Sequence, residues 1–218
     1  MQRFLALPII LAAVLVSLAP APAVAQPASS VFATREGNTR TIVIYGSIGP
    51  ETETVFTQLL AANQGARVML NSAGGSLTPA LNIGRLIRDS RLETFVPDAS
   101  GCFSACALIF LAGTERNIGQ GARVGFHAAY VPQQGGPGQV SSSGNAVIGA
   151  YLSRLGFNDG AIRFLTAARP EQISIVKPVQ FQEFGIGVRQ VASRLPTIPA
   201  APPTAASPAK NGLAPPKG

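Results

Sequence analysis

Along the middle of this chain the spacing of apolar positions changes repeatedly between strand-like and helix-like. Thr41, Ile42, Val43, Ile44 and Tyr45 form a β-branched run that Gly46 stops. Over residues 51–62, Val55, Phe56, Leu59 and Leu60 recur three and four apart, the spacing of one helix face. Residues 66–70 read as a buried strand that ends in the turn Asn71-Ser72-Ala73-Gly74-Gly75-Ser76. A second helix is predicted over 77–88, with Leu77, Leu81, Ile83, Leu86 and Ile87 on its apolar side. A strand follows at 92–96, a buried helix at 104–111 and another strand at 123–127. Residues 145–155 and 161–168 have helical spacing, and 178–184 form a short helix that Gly185 ends. Strands alternating with helices predict an α/β domain with a largely parallel sheet.

The two ends do not share this pattern. Residues 1–25 start with Arg3, continue through an apolar run over 4–18 and finish in Ala23-Val24-Ala25. A positive start, a short apolar middle and a small-x-small site are the marks of a secretory signal peptide. The run falls short of the about 20 residues a membrane span needs, and Pro20 and Pro22 break its end. We therefore expect a periplasmic or secreted protein with Gln26 near its mature start and no stable membrane insertion after cleavage. Residues 195–218 are mostly Pro, Ala, Gly and Ser, too poor in large apolar groups to offset the entropy of ordering. They read as a disordered tail, which leaves residues 34–194 as one domain.

Charge changes the picture little. The net charge is +7, but Arg3, Lys210 and Lys217 lie outside the domain, and the remaining arginines are scattered. Nucleic-acid binding calls for a concentrated basic stripe or a stacking platform, and neither is visible. There is no phosphate-binding glycine loop with lysine, so no ATP-driven step and no cofactor is expected.

Candidate chemistry lies in three places. Gly101-Cys102-Phe103-Ser104-Ala105-Cys106-Ala107 sets a serine among small residues at the start of the apolar helix. Later comes His127, the single histidine, in Val124-Gly125-Phe126-His127-Ala128. The third is the glycine turn at 71–76. A hydroxyl, an imidazole and free backbone N–H groups are the parts acyl transfer needs. Taken singly, Ser104 also reads as a small packing residue and His127 as a core histidine. Cys102 and Cys106 bracket Ser104. Export to an oxidising compartment favours a disulfide clamp on the serine turn, provided Cys102 precedes the helix. Two buried small hydrophobes are the other reading. Two thiolates and one histidine fall short of a zinc set, so no metal site is expected.

In their order and spacing, the glycine turn, Ser104, His127 and the late Glu183-Phe184-Gly185-Ile186 resemble the Clp protease proteolytic subunit and its periplasmic relatives, within the crotonase-like fold. The likeness covers residues 40–188. It implies a fold of repeated β-β-α units, Ser104 as nucleophile and His127 as general base. The N–H groups of Gly75 and Ala105 would form the oxyanion hole. It also implies a peptide or unfolded-protein substrate and a homo-oligomer, because in that family the region matching 131–144 helps to join subunits. Here that stretch is polar and glycine-rich, and reads as a lid over the cleft or an exposed connection.

The chain departs from the family at the orienting aspartate, where Ile173 stands. Glu171 is the nearest carboxylate and the candidate to orient His127. A solvated glutamate after Pro170 is the alternative, and Asp159 reads as part of a turn and helix cap. Lys177 as a dyad base ranks behind His127. Three functions follow: an exported serine peptidase, a non-catalytic oligomeric scaffold that keeps the shape, and crotonase-type thioester chemistry. Export argues against the last.

Overall fold

The computed structural model describes residues 29–192 apart from Gly135. The export segment and the tail read from the sequence lie outside the described residues. In chain order the elements are β1 (Ser30–Glu36), β2 (Thr39–Ile48), α1 (Pro50–Ala62), β3 (Arg67–Gly75), α2 (Leu77–Asp89), β4 (Thr94–Val96), β5 (Gly101–Phe103) and α3 (Ala105–Ala112). They continue with β6 (Arg116–Ile118), β7 (Arg123–Phe126), β8 (Tyr130–Gln133), β9 (Gly136–Val140), α4 (Ser142–Arg154), α5 (Asp159–Leu165), β10 (Ser174–Val176), α6 (Pro178–Glu183) and β11 (Arg189–Gln190).

The sheet forks at β3. One edge of β3 runs parallel to β2 from Thr41↔Arg67 to Ile48↔Gly75, with a register shift between Tyr45 and Ser47. The other edge serves two strands. Val68 and Met69 pair with β4, whereas Ser72, further along, pairs with Cys102 of β5. Beyond β4 lie β6 and β11, all parallel. Beyond β5 lie parallel β7 and then antiparallel β10. β1 closes the far side, antiparallel to β2. The result is an α/β fold whose mostly parallel sheet divides into two leaves sharing one strand, as the alternating spacing leads one to expect.

Burial on both faces explains the near-continuous apolar runs of the central strands. Ile42, Ile44, Val68 and Leu70 belong to the main core with α1, α2 and α3. Val43, Met69 and Phe95 form a second cluster with Phe32 and Tyr45. All eight residues of α3 are buried, so this helix is apolar around its whole circumference. Tyr151 of α4 lies against Gly84 of α2 and donates its hydroxyl to the Leu108 carbonyl of α3 at 3.0 Å. Burial pushes that phenol well above its ordinary ionisation range, which keeps it a donor.

Several segments differ from the sequence expectation. Residues 71–75 continue β3 instead of turning, because their backbone still pairs with Ser47 and Ile48 of β2. Residues 131–144 are not a plain loop: most form an exposed two-stranded hairpin, β8 with β9, and Pro132 and Ser141 reach the cavity wall. Helix α4 then starts earlier than its apolar spacing suggested. Ser141 accepts the Gly144 N–H at 3.0 Å and caps it. Strands β5, β6, β10 and β11 span two or three residues each, too few to carry a period. α6 packs Phe181, fully buried, against Phe110 of α3 and Phe126 of β7, both with ring centroids 6.2 Å away.

Phe181 therefore braces the helix after Ser104 and the strand before His127. Phe181→Ala is expected to lower folding stability by about 3–5 kcal/mol in urea denaturation. A loss below about 1 kcal/mol would contradict this packing role.

Candidate active site

β5 ends at Phe103 and α3 begins at Ala105, so the chain reverses direction at Ser104. It does so with φ 55° and ψ −123°, a region that residues with a Cβ avoid. Such a conformation costs of order 1–3 kcal/mol and persists only where the surroundings impose it. Three constraints do so here. The Ser104 N–H donates to the Gly125 carbonyl of β7 at 2.9 Å. Its own carbonyl accepts the Ala107 N–H at 3.0 Å, the first turn of α3. A disulfide joins Cys102 to Cys106 across the turn, with Cα atoms 5.2 Å apart. Of the two readings of this cysteine pair, the clamp is the one found. Ala105 is the first residue of α3, so its N–H has no partner within the helix.

The glycine segment is pressed against this turn. The Ser72 hydroxyl is buried and accepts the Gly74 N–H at 3.0 Å. Gly74 and Gly75 hold φ values of 107° and 149°, open to glycine and strained for any other residue. A Cβ on Gly74 would stand 2.8 Å from both the Ser104 Cβ and the Phe103 carbonyl oxygen. One on Gly75 would run into the Ile48 backbone. The Gly74 N–H is thus engaged by Ser72, and Gly75 is the second glycine of the pair on the cavity wall.

His127 follows β7 and is half-buried. Its Nδ1 lies 2.8 Å from the Ala128 carbonyl oxygen. A carbonyl only accepts, so Nδ1 is the donor in this contact and Nε2 is the ring nitrogen that it does not engage. The carbonyl is itself on a fixed segment. The Ala128 N–H donates to the Ala168 carbonyl and the Ala129 N–H to Asn145 Oδ1, each at 2.8 Å. The Tyr130 ring lies 5.4 Å from the imidazole. None of these supports was found from the sequence. A backbone carbonyl has no sequence signal, and Asn145 read only as the start of a helix.

Ser104, His127, Gly75 and Ala105 all line one cavity of about 570 Å³. Its lining mixes apolar side chains, among them Leu77, Leu108, Phe126, Ile148 and Leu165, with Ser47, Ser76, Ser141 and Tyr130. His127 and Tyr130 are its only titratable side chains among the described residues. No hydrogen bond joins the Ser104 hydroxyl to His127 among the described residues. The structure does not bring Glu171 to the site: it is exposed and off the cavity wall, although Pro170 and Ile173 are on it. Asp159 opens α5, which Asn158 caps by accepting the Ala161 N–H at 2.9 Å. Lys177 precedes α6, exposed and away from the wall. A hydroxyl at a helix start, an imidazole and backbone donors on one cleft are the groups that acyl transfer requires.

Gly75→Ala is expected to destabilise the fold by more than about 1 kcal/mol in thermal or urea unfolding, because alanine there meets both a positive φ and the Ile48 backbone. Unchanged stability would mean that the close approach of β2 and β3 at this point is wrong.

No family model and no curated protein matches the chain. Solved structures do. It is similar to the 1510-N membrane-bound stomatin-specific protease in a serine-to-alanine mutant, at 18% identity and TM-score 0.56, covering 69% of this chain and 78% of that one. A lysine-to-alanine mutant of that protease in complex with a substrate peptide aligns at 19% identity and TM-score 0.56, covering 69% and 74%. The ClpP protease catalytic domain from Plasmodium falciparum aligns at 16% identity and TM-score 0.48, covering 69% and 83%, too weak a likeness to carry an argument. With its forked, mostly parallel sheet, the chain shares the fold of the stomatin-specific protease structures.

Proposed function

We propose that this protein is an exported serine hydrolase that cleaves peptides or unfolded chains through an acyl-enzyme on Ser104. The observation that carries the reading is the backbone of Ser104. A strained, non-glycine residue at a helix start, facing a cavity it shares with the single histidine, is a costly arrangement for a packing residue. His127 Nε2 takes the Ser104 proton as the hydroxyl oxygen attacks the substrate carbonyl. The N–H groups of Gly75 and Ala105 receive the developing oxyanion, helped by the positive end of α3. His127 then returns the proton to the leaving amine, and water releases the acyl group by the same route.

The orienting role falls to the Ala128 carbonyl. It holds the imidazole tautomer but lacks a carboxylate's charge, so the imidazolium is stabilised less and turnover is slower than in a full triad. The peptide class is supported by the apolar side chains in the cavity lining and by the substrate peptide bound to the structural neighbour. Export rests on residues 1–25 and agrees with the disulfide.

A second reading, a non-catalytic binding or scaffold protein, is favoured by the lack of a Ser104–His127 hydrogen bond and of a carboxylate on the imidazole among the described residues. Apo sites often hold such contacts long, so the two readings part on rates, not on distances.

Hydrolysis of a peptide and ester panel by the mature protein separates them. Ser104→Ala and His127→Ala are each expected to lose about a thousandfold or more in kcat/KM with folding intact. Equal rates in wild type and Ser104→Ala would leave the scaffold reading. Glu171→Gln is expected to keep kcat/KM within about twofold, since the residue is exposed and away from the cavity. A fall of orders of magnitude there would restore Glu171 as the group that orients His127.

A further inference from the structure

Resting on the hydrolase reading, we infer that the Cys102–Cys106 disulfide is a redox switch on the active site, with the oxidised protein active and the reduced protein inactive. The cross-link closes a loop of five residues with Ser104 at its centre. So short a loop constrains the unfolded chain little, and its effect is local to the turn. Both cysteines are fully buried. The bond joins the last strand before the nucleophile to the first turn of the helix after it.

Its reach extends to the other half of the site. The β3–β5 pairing consists of Ser72 opposite Cys102. The Ser72 hydroxyl, in turn, holds the Gly74 N–H beside Gly75. Gly74 leaves no room against Ser104, so a displacement of one is felt by the other. One bond thus fixes the position of Cys102, the register of Ser72, the glycine pair and the φ of Ser104.

Reduction by a dithiol transfers two electrons and two protons to the protein. The S–S bond breaks, two thiols form at Cys102 and Cys106, and the donor leaves as its own disulfide. Each thiol needs its own van der Waals space in a packed, fully buried site, and the positive φ of Ser104 loses one of its three constraints. The Gly125 and Ala107 hydrogen bonds remain to hold the fold of the turn, but not its strained geometry. Burial of both sulfurs requires local opening before a thiolate can reach them, so exchange is slow in the closed protein.

The experiment uses mature wild-type protein, oxidised and after dithiothreitol. Three quantities are read: the rate of fluorophosphonate adduct formation, the far-ultraviolet dichroism and amide hydrogen exchange by segment. The expected result is an adduct rate at least tenfold lower after reduction, restored by oxidised glutathione, with unchanged dichroism. Exchange should rise at least tenfold over residues 102–108 and 72–76 and stay constant in α2. The Cys102→Ala/Cys106→Ala protein should label slowly with or without dithiothreitol. Equal labelling of the oxidised and reduced protein overturns the switch and leaves the hydrolase standing. Loss of dichroism on reduction also overturns it, since the bond would then be a general staple. Absence of adduct in the oxidised protein refutes the hydrolase reading, and the switch with it, whatever the exchange data show.

Discussion

The pairing of Ser72 with Cys102 is the constraint on which the site depends. At that point β3 leaves the β4 leaf and takes up β5, so the two leaves of the sheet part there. The fork opens the space into which the glycine pair and the serine turn both project. Were β3 to keep a single partner along this edge, the end of β5 and the start of α3 would have no place beside Gly74. The fork is built from ordinary sheet pairing, but its consequence is chemical: it brings the glycine end of β3 against a hydroxyl at a helix start.

The remaining features hold that junction under strain. Ser104 occupies a backbone region its side chain disfavours, and Gly74 and Gly75 occupy regions only glycine tolerates well. Around them the packing is dense and apolar. α3 is buried on every side, Tyr151 anchors it to α4, and Phe181 wedges it against β7. A rigid surround is what allows a strained turn to persist, since a loosely packed core would let Ser104 relax. His127 is positioned more lightly, by a single backbone carbonyl on a segment that Ala168 and Asn145 hold.

Much of this was legible in the residues. The long elements announced themselves, α1 and α2 by apolar residues three and four apart and β2 by its β-branched run. Ser104 and the glycine pair stood out because small residues cluster where backbones must approach closely, and His127 because it is the single histidine. What escaped notice has a common cause. β5 and β10 are three residues long, and their place in the sheet comes from partners distant in sequence. The hairpin β8–β9 exposes Val131 and Val140, so its composition resembled a loop. The Ala128 carbonyl that meets His127 belongs to the backbone, and no residue type encodes it. Glu171 was chosen for being a carboxylate near the right position in sequence, yet the chain after Pro170 turns Ile173 toward the cavity and leaves Glu171 exposed.

The account stands or falls on whether Ser104 is a nucleophile. The direct measurement is intact-mass analysis of the oxidised mature protein after reaction with an alkyl fluorophosphonate, followed by peptide mapping. The account predicts one phosphonyl group per chain, located on Ser104 and missing from the Ser104→Ala protein. No adduct, or an adduct on another residue that survives Ser104→Ala, would contradict it.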